Sequence, residues 1–181
     1  MTSTRSRHLA LVLILLVFAG GLSLAARAQS AGATPPAAER PRPCGEPERR
    51  QFDFWLGDWD VRSPQGELRG RNLIESIEGG CALRETYSTP RGYSGTSLNF
   101  YDAGSGRWRQ TWIDNQGAPL HLSGGASDSG AMVLSGEAGG ALQRITWTPL
   151  VDGRVRQLWE SSGDGGASWT VAFDGYYSRR E

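Results

Sequence analysis

Lysine is absent from this chain of 181 residues: all 19 basic groups are arginine, set against 19 acidic ones. A formal charge of zero offers no general attraction to nucleic acid or to an anionic membrane surface. Cysteine occurs only twice, with no C-x-x-C spacing and no neighbouring histidine, so there is no sign of a reactive redox pair. Histidine also occurs twice, and only His121 lies beyond the N-terminal segment. A Ser-His-Asp or Cys-His site would have to use it, yet nothing beside it in sequence looks like an activated nucleophile. No His, Cys and carboxylate spacing suits zinc. No glycine-rich loop opens a helix, so nucleotide phosphates have no cradle. What the chain does have is 25 glycines and seven tryptophans. The glycines indicate many turns and few long helices; the tryptophans are too many for a disordered chain. The length suits one folded domain.

The first residues read as an export address. Arg5, Arg7 and His8 precede an apolar run from Leu9 to Leu24, and Ala26-Arg27-Ala28 forms an A-x-A cleavage site. The run falls short of the ~20 residues of a spanning helix and contains Gly20 and Gly21. No cysteine follows the cut to carry a lipid, and the arginines are not adjacent as a twin-arginine signal requires. The expectation is a signal peptide over 1–28, an exported product in the periplasm or medium, and no membrane anchor after cleavage. Cleavage removes three arginines and no acids, leaving a net charge of −3. Residues 29–47, rich in Ala, Pro, Arg and Glu, read as a flexible leader. The folded domain is then 48–181, long enough for one core. Both cysteines survive cleavage. In an oxidising compartment Cys44 and Cys81 are expected to pair and to staple the leader to the domain.

From Trp59 onward, short runs alternate with turn clusters. The expected strands are 59–63, 68–78, 81–88, 94–101, 107–114, 119–123, 131–137, 141–148, 154–161 and 168–178. The breaks include Gly79-Gly80, Asn115-Gln116-Gly117, Gly124-Gly125, Gly139-Gly140 and Asp152-Gly153. Short strands at even spacing, parted by Gly and Asp, indicate consecutive antiparallel hairpins. An even meander of this length closes best as an up-and-down β-barrel, since closure removes exposed edges. A sandwich is the second choice.

Period-two alternation assigns faces. Trp108, Gln110, Trp112 and Asp114 share one side of their strand, with Arg107, Arg109, Thr111 and Ile113 on the other. Val155, Gln157 and Trp159 oppose Arg154, Arg156 and Leu158. Arginines stay outside because burying a guanidinium is costly, so the Trp/Gln faces point inward. Asn99 and Tyr101 join them by alternation. Tryptophan mixed with amides and a carboxylate suits a wet, ligand-sized cavity better than a dry core. Asn99, Tyr101, Gln110, Trp112, Asp114, Gln157 and Trp159 are therefore the expected ligand-binding residues.

The run Phe52-Asp53-Phe54-Trp55-Leu56-Gly57-Asp58-Trp59-Asp60-Val61 carries G-x-W into the first strand. It resembles the start of lipocalins and other calycins, where a short helical turn leads into strand one and the Trp plugs the barrel base. With Gly80-Cys81, S-L-N-F-Y-D at 97–102, W-R-Q-T-W-I-D at 108–114 and V-R-Q-L-W-E-S-S at 155–162, the chain resembles a family of exported bacterial proteins of unknown function that is calycin-like. The likeness spans about 45–178. It implies a lipocalin-like barrel with Trp55 and Trp59 packing its base, and it implies no reaction. Intracellular lipid-binding barrels hold a carboxylate with R-x-Y on the last strand, which here reads F-D-G-Y-Y-S-R and lacks the motif. Nitrobindin-type barrels hold haem through a late-strand His. Here only His121, in mid-chain, could serve, so neither haem nor any other cofactor is expected.

Ser162-Gly163-Asp164-Gly165-Gly166-Ala167-Ser168-Trp169 resembles the Asp-box hairpins of sialidase-like propellers. A single copy makes no propeller; it reads as a turn held by Asp164 and covered by Trp169. Glu85, Asp114 and Glu160 are candidate acid/base carboxylates. Three functions follow: a barrel binding a small, partly apolar molecule, a carboxylate-dependent hydrolase or isomerase, and a ligand-free interaction module. A cavity above about 300 Å³ favours the first two. A carboxylate inside it with a raised pKa favours the enzyme. A filled interior favours the third.

Overall fold

A computed structural model describes residues 44–180. The expected signal peptide over 1–28, and the leader as far as residue 43, lie outside the described residues. Ten antiparallel strands follow one another: β1 (Gly57–Arg62), β2 (Leu68–Ile77), β3 (Ala82–Ser88), β4 (Ser94–Asp102), β5 (Arg107–Asp114), β6 (Pro119–Ala126), β7 (Met132–Ala138), β8 (Ala141–Pro149), β9 (Val155–Ser162) and β10 (Thr170–Arg179). Each pairs with the next, and β1 pairs with β10, closing an up-and-down barrel. Every edge is thereby satisfied. Among the described residues no helix is long and apolar enough to cross a membrane.

The expected strands recur with ends shifted by one or two residues, with one larger exception. Gly124-Gly125, read as a break, lies inside β6, which runs on to Ala126 and pairs with β7. A β-carbon at Gly124 would stand 2.0 Å from the Val133 carbonyl oxygen. This glycine marks a close approach of two backbones, not a turn. The chain reverses later, at Ser127–Gly130, where Gly130 has a φ of 80°.

One end of the barrel is plugged. Two short 3₁₀ turns, Pro47–Arg50 and Asp53–Trp55, precede β1. They drive Phe52 and Trp55 into the bore, where both are fully buried. Phe52 stacks on Trp55 at 4.9 Å between ring centres and meets Trp108 and Trp147 edge-on. The G-x-W motif has a direct physical role here. Trp59 donates its indole N–H to the Trp55 carbonyl at 2.9 Å, locking plug to strand. Gly57 has a φ of 144°, and a β-carbon on it would collide with the Arg179 guanidinium, whose carbon lies 4.3 Å from the Trp59 ring centre. Trp55 and Trp59 thus pack the base, as expected. The Cys44–Cys81 disulfide fastens the start of the plug to the β2–β3 turn.

Candidate functional site

The inward residues form three layers from plug to open mouth. On β3 they read Leu83, Glu85, Tyr87; on β5, Trp108, Gln110, Trp112; on β9, Val155, Gln157, Trp159. All three strands run from the base to the mouth, so each spells apolar, polar, aromatic in the same order. The result is a packed base, a polar belt across the middle and an aromatic rim.

The belt is one hydrogen-bonded chain. The Gln110 amide donates to Asn99 Oδ1 at 2.8 Å, Asn99 to Ser97 Oγ at 2.8 Å, and Ser97 to Glu85 Oε2 at 2.6 Å. From the other side, Asn72 Nδ2 donates to Glu85 Oε1 at 2.7 Å and to the Tyr177 hydroxyl at 3.3 Å, and Tyr177 donates to Gln157. Asn72 Oδ1 is buried without a partner. Glu85 is 5% exposed, and among the described residues none of the ion pairs involves it. Burial in this cation-free setting raises its pKa, only partly offset by the hydrogen bonds from Ser97 and Asn72.

Above the belt lies a pocket of about 80 Å³, open at the mouth. Tyr87, Tyr93, Trp112, Trp159 and Phe173 wall it; Glu85, Gln110, Gln157 and Tyr177 line its floor, with Leu120 and Ile145 between. Three rim rings rest where the strand offers no side chain. A β-carbon at Gly95 would stand 2.1 Å from the Trp112 ring, one at Gly70 2.7 Å from the Tyr87 hydroxyl, and one at Gly175 2.6 Å from the Phe173 ring. Tyr87 is pushed up to about 12, chiefly by burial, so the rim hydroxyl stays neutral.

No family model matches this chain, and no curated protein matches it.

Of the seven expected ligand-binding residues, Gln110, Trp112, Gln157 and Trp159 come together in this pocket. Asn99 lies just behind it as a member of the belt. Tyr101 and Asp114 are elsewhere. Tyr101 sits at the plugged end, with its ring 6.3 Å from Trp108 and the Arg49 guanidinium 5.7 Å away. Asp114 caps the β5–β6 turn: it accepts backbone N–H bonds from Ala118 and Gln116, which hold its carboxyl below the usual range, and the Tyr93 hydroxyl donates to it. Glu160 lies on the outer face, bound to Arg144 at 3.0 Å. Of the three candidate carboxylates, Glu85 is the one that lines the pocket. His121 is exposed on β6, 3.2 Å from the Thr111 hydroxyl, outside the barrel. Asp164 closes its hairpin as expected, accepting bonds from the Ser162 and Ser168 hydroxyls and the Ser168 N–H, while Trp169 stacks on Arg144.

The position of Glu85 has a thermodynamic consequence. Its folded pKa stands above its ordinary 4.5, so the folded state holds its proton more tightly than the unfolded chain does. The stability this provides is complete below 4.5 and is lost as pH rises through the folded value. Glu85→Gln lacks that dependence. Urea unfolding of both proteins over this range should show wild type losing ground to the variant as pH rises; a wild type that gains ground would refute the assignment.

Proposed function

We propose that the protein is an exported, lipocalin-like barrel that binds a small, partly apolar molecule at its open mouth. The observation that supports this best is the aromatic rim standing over a polar belt: rings supply apolar area, and a few fixed polar groups set orientation. The disulfide is consistent with an oxidising compartment. The pocket is well below the ~300 Å³ of a drug-sized site, so its occupant is a compact molecule or the head of a larger one. The lower half of the bore is filled by the plug, which argues against a long acyl chain.

The test is mass spectrometry of small molecules retained by protein exported from its native host. Trp112→Ala and Trp159→Ala should each weaken retention of the bound species by about 1–3 kcal/mol, the scale of one buried aromatic side chain. Near-ultraviolet circular dichroism establishes that the variants are folded. Identical extracts from wild type and both folded variants would sink the proposal.

One observation favours a second reading, a carboxylate-dependent hydrolase or isomerase: Glu85 combines a place in the pocket with a raised pKa. The Ser97 hydroxyl 2.6 Å away is no candidate nucleophile, because it is 1% exposed and turned into the belt behind the pocket wall. Glu85 would act alone, as a general acid or base.

A further inference from the structure

We propose that the mouth pocket is a site for an organic ammonium cation, with the rim rings facing its alkyl groups and Glu85 supplying the counter-charge. This rests on the reading of the pocket as a ligand site and names the class of ligand.

Three independent features lead there. The first is charge. Among the described residues Glu85 is the only charged side chain lining the pocket, and no arginine or histidine lines it. Several strand arginines pair on the outer face, as Arg84 with Glu75, Arg144 with Glu160 and Arg156 with Asp174. A ligand carboxylate or phosphate would meet no cation among the lining residues. A cation would neutralise a pocket-lining carboxylate that has no ion-pair partner among the described residues. The carboxylate has capacity for it: a carboxylate offers about four acceptor positions, and Ser97 and Asn72 occupy two.

The second feature is the wall. Five aromatic side chains surround the space above Glu85. Ring faces carry negative quadrupole potential, and cages of such rings hold alkylated ammonium groups in preference to neutral ones. The third is size: at about 80 Å³ the pocket suits a compact head group and is well below a drug-sized site.

Binding is then linked to a proton. A buried carboxyl with no cation beside it favours its neutral form, whereas the bound cation requires the ionised one. The groups around it do not compete. Tyr87 on its own strand, Tyr177 on β10 and Tyr93 at the rim are all raised above 10, chiefly by burial, and stay neutral. Asn72, Ser97 and Gln110 do not titrate. Arg69 is near enough to act on Tyr87, but does not line the pocket. Affinity for a cation should therefore rise with pH until Glu85 is fully ionised.

The experiment is calorimetric titration of the exported protein with choline and with 3,3-dimethylbutan-1-ol, its uncharged isostere. Choline should bind at least about tenfold tighter at neutral pH. Its affinity should increase as pH rises above 4.5, the ordinary value of the carboxyl, although choline itself carries no titrating ammonium proton. Glu85→Gln should bring the two probes to the same affinity and flatten the pH profile. This substitution keeps the shape of the side chain: the new Oε1 can still accept from Asn72 Nδ2, and the new amide can donate to the Ser97 hydroxyl oxygen. Trp112→Ala should weaken choline in parallel. Equal affinity of the two probes for wild type would overturn the ammonium proposal and leave the pocket as a site for neutral molecules. No binding of either probe at about 50 mM would overturn it too, with the retained small molecules then deciding the pocket reading separately. A choline preference that survives in Glu85→Gln would remove Glu85 from the site.

Discussion

Trp55→Ala should lower the stability of the barrel by about 3–5 kcal/mol, the range for truncating a fully buried large aromatic. Trp55 is 0% exposed and is held by rings on several elements: Phe52 at 4.9 Å, Trp147 at 5.3 Å and Tyr177 at 6.3 Å. Those neighbours belong to the plug, β8 and β10, whose backbones are fixed in the closed ladder, so the space cannot collapse. Trp55→Phe should cost much less. It keeps most of the ring area and removes an indole nitrogen that is buried without a hydrogen-bond partner. Urea unfolding followed by far-ultraviolet circular dichroism measures both. A loss below about 1 kcal/mol for the alanine variant would mean that the plug is not part of the cooperative core.

How far the barrel could be read from the residues depends on what alternation encodes. A period of two states which side of the sheet a residue faces, and on β5 and β9 it did so because the outer positions carry arginines that cannot be buried. It does not state how far along the bore a residue stands. Asn99, Gln110 and Gln157 are at mid-height, in or beside the pocket. Tyr101 and Asp114 share the inward side of their strands, but they stand at opposite ends of the barrel, one beside the plug and one capping a turn. Height depends on register and on which end is plugged, and both are set by long-range pairing. Tyr87, Tyr93, Phe173 and Tyr177 were missed for the same reason. A usable signal was present: Gly70, Gly95 and Gly175 lie inside strands, where a missing side chain marks a close neighbour. Each of the three underlies a pocket aromatic. Glu85 was legible only as one of three candidate acid/base carboxylates, beside Asp114 and Glu160. That no arginine among the described residues pairs with it is a tertiary fact.

Replacing both cysteines by serine should cost about 3–4 kcal/mol, by the loop entropy of a 37-residue separation. The bridge joins Cys44, at the approach to the plug, to Cys81 beside the β2–β3 turn, with α-carbons 5.0 Å apart. Other ties cross the same junction. Arg49 donates to the Tyr101 carbonyl at 3.0 Å, Arg50 to the Gly80 carbonyl, and the Trp108 indole to the Glu48 carbonyl at 3.1 Å. These bonds, together with the buried Phe52 and Trp55, keep the plug seated when the bridge is gone. The expected phenotype is therefore a fully folded barrel of lower stability, not an unfolded chain. The double variant Cys44→Ser/Cys81→Ser avoids leaving a lone reactive thiol. Its near-ultraviolet spectrum, dominated by the packed tryptophans, should match wild type, while its urea midpoint falls. Wild type unfolded in reductant should show the same fall, since it differs from the variant only by two thiols. A midpoint unchanged in both would mean that the unfolded chain gains little freedom when the bridge opens. The hydrogen bonds at the plug would then hold the junction without it.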